Sequence, residues 1–425
     1  MKIKKMEEHI VRKIYTGIDI GSDTIKIVVA EMNKDNFYVL ASTSKKSQGI
    51  RRGLVVNREK AAESLEEAIN DIEKQIGVRI DKAIVTVPSQ GRKLKIVSGK
   101  YKLKNENSRV SGHDINKTLE DAVSGNVDEE DELVTVIPIV FNVDNKENIF
   151  DPRNEEGNEL GVKAVIGVAP KKYLYPFMTI FNDCNIEIMD IVFGSIGDYY
   201  SESNKERDKS LGAIINIGEE TMNISIFNKK IIIKNEIIKL GSKNIDNDIM
   251  YIYGVNEDQA RYLKENFAVS STRYADVNET IDIKLSDNEM ITINQEDITK
   301  VVESRVVELL KLAKNQINNL TNRKISYIIV TGGITELTGF GSVVENTLGI
   351  NATTLNDNII GIRNNKFSSA AGIIKYFDKK MELRDKVFSM FDKNQIDSMM
   401  NFDNGNMVPF EEDSTSNVEN DFSSN

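Results

Sequence analysis

Two short segments carry residues of the types that grip phosphate. Laid over each other, residues 18–29 (IDIGSDTIKIVV) and 215–226 (INIGEETMNISI) agree at five of twelve positions, at an offset of 197: Ile18/Ile215, Ile20/Ile217, Gly21/Gly218, Thr24/Thr221 and Ile27/Ile224. Each copy reads as a short apolar strand, a polar turn opened by glycine, and a second alternating strand, which is the pattern of a tight hairpin. Glycine lets backbone amides approach an anion, and the threonine hydroxyl adds a donor. Ser22, Asp23 and Lys26 complete the first copy, and Glu219 and Glu220 the second. Taken singly, either segment is an ordinary turn. Two in order imply duplicated lobes facing one cleft, where a phosphate chain is held from both sides. Asp19 is suited to orient a hydrated magnesium ion, whereas the corresponding residue of the second copy is Asn216.

A third segment, IIVTGGITELTGF (328–340), runs a β stretch into Gly332 and Gly333, followed by Ile334 and an expected helix whose first amides would face a ligand. In SSAAGIIKYF (368–377), small residues at the start of a helix permit close approach of another backbone.

The elements that must position these residues alternate. Strand-like KAIVTVP, ELVTVIPIVFNV and YIIVTGG are interleaved with helical EKAAESLEEAINDIEKQI and QEDITKVVESRVVELLKLAKNQI, which argues an α/β fold. A length of 425 residues accommodates two to three domains. Five of six prolines fall at or before Pro176 and the sixth is Pro409, so the stretch between can run long unbroken elements. With 55 Lys plus Arg against 66 Asp plus Glu, generic attraction to nucleic acid is disfavoured. One cysteine, Cys184, excludes a disulfide framework and a cysteine zinc cluster, and a reducing cytoplasm fits best. No apolar run reaches the ~18 to 20 residues of a membrane span, so the expectation is a soluble or peripheral protein.

Taken in order, two phosphate hairpins, a paired-glycine motif and a small-residue helix resemble the actin-like ATPase superfamily, and the chain is most similar to the FtsA family of bacterial cell-division proteins over about residues 14–377. RRGLVVNREKAAESLEEAINDIEKQIG, VIPIVFNVDNKENIFDPRNEEGNELGVKAVIGVAP and KLGSKNIDNDIMYIYGVNEDQARYLKEN carry the closer likeness, with Gly241, Asp248, Ala260 and Lys264 fitting the family pattern. The resemblance implies an actin-like fold of two lobes around a nucleotide cleft. Its parts would be an N-terminal arm (1–13), a first lobe (14–80 and 170–209), an inserted FtsA-type subdomain (81–169), and a second lobe (210–377) whose insertion (242–327) binds the partner. A membrane helix (378–400) and a disordered acidic tail (401–425) would follow, the globular body ending near 377.

The same resemblance implies ATP and Mg2+ as ligands, with Asp19 toward the metal, Gly332, Gly333 and Ile334 near the adenosine, and Gly241 and Lys264 also at the cofactor. It implies self-assembly into a filament, an anionic membrane surface at the inner face of the cell membrane at the division site, and the tail of FtsZ as partner. Glu303, Arg305 and Glu308 lie near the position that receives that tail, with Arg305 as the charged anchor. On a helical wheel Leu383, Val387, Met390 and Phe391 share an arc with Phe388 at its edge, so residues 379–393 are the expected membrane helix. A second basic segment lies in the N-terminal arm, where Ile3, Met6, Ile10 and Ile14 form a rough stripe.

Where the family usually has an acidic residue the chain has Asn216, and where it has small residues the chain has Glu219 and Glu220; a Glu is expected near Gly194. Carboxylates beside a phosphate chain must turn outward or recruit a cation. The expectation is therefore nucleotide as a structural ligand, hydrolysed slowly or not at all, in an adaptor that joins FtsZ to the membrane. The alternatives are a pilus-assembly type of actin-like binding module and a small-molecule kinase, which would need a carboxylate base that no segment supplies convincingly.

Overall fold

Both repeats are hairpins in the computed structural model, which describes residues 12–405 apart from 35, 105–107, 287–288, 356–361 and 363, and apart from the side chains of 401–405. The first pairs Lys13–Ile20 with Thr24–Asn33, the second Leu211–Ile217 with Met222–Asn228. The registers close on the same step: Ile20 faces Ile25 and, 197 residues on, Ile217 faces Met222. The turn repeats too, with the Gly21 amide donating to the Thr24 carbonyl at 3.0 Å and Gly218 to Thr221 at 2.9 Å.

Each hairpin sits in a five-stranded sheet of one plan. Sheet one runs Glu187–Phe193, Lys82–Val87, Lys13–Ile20, Thr24–Asn33, Asn36–Lys46; sheet two runs Ala352–Thr354, Tyr327–Thr331, Leu211–Ile217, Met222–Asn228, Ile231–Ile238. In both, the leading hairpin strand is parallel to its neighbour on one side and antiparallel on the other. Strands covered on both faces need apolar residues at nearly every position, which is how IYTGI and AIINI read. The chain therefore has the actin-like fold: two duplicated lobes around a cleft.

The helices follow from their caps and stripes. Arg58–Ile76 starts at Asn57, whose side chain accepts the Lys60 amide, ends at left-handed Gly77, and buries Leu65, Ala68, Ile69, Ile72 and Ile76 against sheet one. The proline-free stretch holds the 26-residue helix Gln295–Leu320, which packs Val302, Val306, Leu309, Leu310 and Ala313 into the second core. Between the strands of the first lobe a third sheet is inserted, ordered Lys146–Ile149, Asp131–Val143, Glu159–Pro170, Lys93–Lys102 and backed by helix Gly112–Val123, with a core of its own. The lobes meet at two crossing helices, Gly194–Ser201 and Ser368–Leu383. They approach so closely that a Cβ on Gly372 would stand 1.7 Å from the Gly197 carbonyl oxygen, so only glycine fits.

The C-terminal segment departs from expectation. No single helix spans 379–393: Ser368–Leu383 ends there, Asp385 is left-handed at φ 52°, and a separate helix runs Lys393–Gly405. The strand Lys13–Ile20 pairs with Lys82–Val87 only through Gly17 and Ile18, which leaves its Ile14 end open; the Met390 amide covers it, donating to the Ile14 carbonyl at 3.0 Å. Met390 and Phe391 are consequently buried in the first-lobe core at 2% and 4% exposure, and Phe388 packs against it. Leu383 joins the core of the inserted sheet. Of the expected arc only Val387 is free, at 69% exposure. The body thus extends past 377, to Met399. Burial against an open strand edge outcompetes the local periodicity that suggested a continuous amphipathic helix. Residues 1–11 of the expected arm and 406–425 of the expected tail lie outside the described residues, and 401–405 continue the last helix. Among the described residues no helix is long and apolar enough to cross a membrane.

Candidate functional site

The strand ends of both hairpins open onto one cavity of about 620 Å3, within the range of small-molecule sites. On the first-lobe side Asp19 is held twice, by the Thr86 hydroxyl at 2.6 Å on Oδ1 and by Lys26 Nζ at 3.2 Å on Oδ2. In the turn, Ser22 Oγ accepts the Gly53 amide at 3.1 Å.

On the second-lobe side the equivalent residue behaves differently. The Asn216 side-chain amide donates to Asp198 Oδ2 at 2.8 Å, while the hydroxyls of Ser368 and Ser369 donate to Oδ1 at 2.7 Å each. Asp198 thereby ties together helix Gly194–Ser201, strand Leu211–Ile217 and helix Ser368–Leu383. It is 1% exposed, and burial pushes its carboxyl up to about 6 against the pull of its three donors, with the charge of Asp19 adding to the rise.

Charged side chains close the mouth. Arg261, on the short helix Glu257–Tyr262, donates through Nη1 to Asp23 Oδ1 and through Nη2 to Glu219 Oε1 at 2.6 Å. Glu220 accepts the Arg52 backbone amide at 2.6 Å and lies 3.5 Å from Arg51 Nε. Glu219 and Glu220 are thus not turned to solvent: the cation that answers Glu219 is the chain's own guanidinium. Burial still raises the Glu219 carboxyl, and Asp23 adds to it.

Gly332, Gly333 and Ile334 line the far end. Gly332 has φ 107° and passes so near the Ile217 carbonyl that a Cβ would stand 2.2 Å from its oxygen. The expected helix does not begin there: Gly333–Glu336 is one 3-10 turn and the α-helix, Phe340–Leu348, starts later, so no α-helix dipole points at the cavity from the glycine pair. Lys264 reaches the cavity wall but is ion-paired with buried Asp246 at 2.8 Å. Gly241 lies behind the second hairpin, against the carbonyls of Gly218 and Glu219, rather than on the wall. Lys366 also lines the cavity; burial lowers its pKa, and Lys26 lowers it further.

A nucleotide fits the cavity's size and the two sets of turn amides. No group of three or more acidic, His or Cys side chains is placed to hold a metal among the described residues, so a metal here would rest on few protein ligands, Asp19 among them. That suits magnesium, which keeps water and phosphate oxygens in most of its positions.

The partner-site residues separate. Arg305 and Glu308 line a groove of about 430 Å3 with Tyr251, Ile252, Lys300 and Val301. Arg305 is engaged, forking onto Asp248 at 2.6 and 2.7 Å with Glu308 at 2.5 Å. Tyr251 is 91% exposed. Glu303 turns away from the groove and accepts from Ser271 and Thr272 at 2.8 to 3.0 Å.

Sequence reasoning missed Thr86, Asp198, Arg261 and Lys366. The signals were thin: Asp198 ends the GSIGD stretch, and Arg261 sits inside QARYLKE between two residues singled out for other reasons.

Sheets of one plan around a shared cleft define an actin-like protein. Among solved structures, the PilM-PilN type IV pilus biogenesis complex aligns with a TM-score of 0.58 at 12% identity, covering 85% of this chain and 97% of that one. MreB5 of Spiroplasma citri bound to ADP aligns with a TM-score of 0.52 at 11% identity, over 87% and 97%. A family model described as cell division protein FtsA matches residues 213–372, and one described as the SHS2 domain inserted in FtsA matches 91–167, which is the inserted sheet and its helix. The cell division protein FtsA of Bacillus subtilis (strain 168) is 25% identical over 367 residues, 86% of this chain and 83% of that protein. These matches support an FtsA-type cell-division protein.

Proposed function

We propose that this chain binds ATP with magnesium in the inter-lobe cleft, assembles with copies of itself, and tethers FtsZ filaments to the inner face of the cytoplasmic membrane at the division site. The observation that carries the reading is the sheet inserted in the first lobe of an actin-like frame, which matches the SHS2 domain inserted in FtsA. Asp19 would orient the hydrated magnesium, the turn amides of Ser22 and Asp23 and of Glu219 and Glu220 would take phosphate oxygens, and Gly332–Ile334 would border the adenosine. Bound magnesium would neutralise phosphate charge between the lobes.

The groove beside Arg305 supports the partner. Its Tyr251, Ile252 and Val301 suit the apolar part of a short acidic tail, while Lys300 and Arg305 suit its carboxylates. With Met390 and Phe391 buried, membrane contact falls to residues 1–11 of the N-terminal arm, which hold three basic and two acidic residues beside the apolar stripe of Ile3, Met6 and Ile10.

Co-sedimentation with anionic liposomes and FtsZ polymer tests the reading. The full chain should carry the polymer into the pellet. Arg305→Glu should lose the polymer at least about tenfold, as expected for a charge-assisted anchor, yet keep the liposomes. Deletion of residues 1–11 should lose the liposomes. A chain that pellets with liposomes and never recruits the polymer would overturn the adaptor role.

A further inference from the structure

The three departures of the second hairpin share one property. Asn216 bonds Asp198 of the first lobe, Glu219 shares Arg261 with Asp23 of the first hairpin, and Glu220 takes the Arg52 amide beside it. Asn223 adds a fourth such bond, donating to Ser89 at 3.2 Å. The Asn216, Glu220 and Asn223 contacts cross the cleft directly, and the Glu219 pair joins it through Arg261, which stands on the second lobe and reaches Asp23 of the first. In a phosphate-gripping cleft the ligand joins the lobes, since each hairpin holds the same anion. Here the joining groups are the chain's own.

Arg261 is the centre of this seam. Its fork reaches one carboxylate on each hairpin at once, a geometry that a planar guanidinium provides and an ammonium does not. Its helix is fixed by a capping box between Asn256 and Gln259, and half-burial keeps solvent from screening the pairs. Without Arg261, Asp23 and Glu219 would repel across the cleft mouth.

We propose that Asp23, Arg261 and Glu219 form an inter-lobe latch, which closes the cleft without nucleotide by putting the protein's own charges where a bound phosphate chain would otherwise bridge the hairpins. The inference deepens the reading of the cleft as a nucleotide site and states how that site is regulated: phosphate must compete with Asp23 and Glu219 for Arg261 rather than close an open cleft. Closure, and whatever surface closure presents to a partner or a second copy, is then present at rest.

The test is an inter-lobe distance measured by pulsed electron resonance on the full chain. Spin labels go on Glu59→Cys in the first lobe and Asn315→Cys in the second, in a Cys184→Ser background. The nucleotide-free parent should give one narrow distribution that ATP with magnesium leaves in place. Arg261→Ala should shift it to longer separations and roughly double its width, the signature of an opened two-state equilibrium. Arg261→Lys, which keeps the charge and loses the fork, should fall between and guards against misfolding, with circular dichroism as the check. A parent that is broad when empty and narrows only with ATP would overturn the latch, as would an unchanged distribution in both variants. Titration of the same labelled protein with fluorescent ATP separates the two readings, because absent binding would remove the nucleotide and leave the latch standing.

Discussion

The two hairpins have one backbone and two chemistries. Register and turn hydrogen bond repeat at the 197-residue offset and the sheet plan repeats around them, yet Asp19 is a carboxylate held by Thr86 and Lys26, whereas Asn216 is an amide serving the carboxylate of another element. The turn of the first copy carries one acid and that of the second carries two: Asp23 and Glu220 make contacts across the cleft, and Glu219 holds the Arg261 that reaches Asp23. Backbone hydrogen bonds and apolar strands preserve a hairpin whatever its turn side chains are, so duplication of shape outlasts duplication of function. The negative charge that Asn216 lacks is supplied nearby by Asp198, from a helix rather than a strand.

The largest effect that could break this comparison is on Asp198. Asp198→Ala orphans three donors in a buried setting and should lower stability by about 3–5 kcal/mol in urea unfolding. Asp19→Ala, in the wetter first hairpin, should cost about 1–2 kcal/mol. Equal losses would mean that the two halves are held alike and the contrast fails.

Next in size is a pH effect. The folded-state pKa of Asp198, about 6, lies above the ordinary carboxylate value of 3.8, so the folded chain binds this proton more tightly than the unfolded chain. The contribution is therefore fully present below pH ~4 and is lost as pH rises through 6, an amount of up to about 3 kcal/mol. Asp198→Asn keeps an oxygen for the two serines and offers an amide to Asn216, whose own amide can turn to accept. This variant should flatten the dependence between pH ~4 and ~6 and should not lose stability at pH 7. A slope that survives the substitution would assign the titration elsewhere.

The smallest effect concerns ligand. Carboxylates ~4 Å from a phosphate cost about 1 kcal/mol each in water and about 4 at an effective dielectric of 20. Replacing both, Glu219→Gly with Glu220→Gly, should tighten fluorescent ATP by at least about tenfold, or ~1.4 kcal/mol, and release Arg261 to the phosphates. Adenosine, which lacks the phosphates, should bind the parent and the variant equally. An equal gain for both ligands would make the effect one of cleft opening rather than charge.

The sequence by itself determined the duplicated hairpins, the α/β alternation and the inserted unit, because each rests on local spacing: glycine at a turn, apolar residues at every position of a covered strand, a cap before a stripe. It also exposed Asn216, Glu219 and Glu220 as the places where the second copy departs. What it did not disclose were the partners of those residues, since Asp198 and Arg261 lie 18 and 42 positions from theirs and meet them only once the lobes pack. The C-terminal segment teaches the same point. The spacing of Leu383, Val387, Met390 and Phe391 is that of an amphipathic helix, and nothing local opposes it. Only the tertiary structure supplied the open edge beside Ile14, where burying two large side chains and satisfying a strand carbonyl together outweigh a short helix of weak propensity.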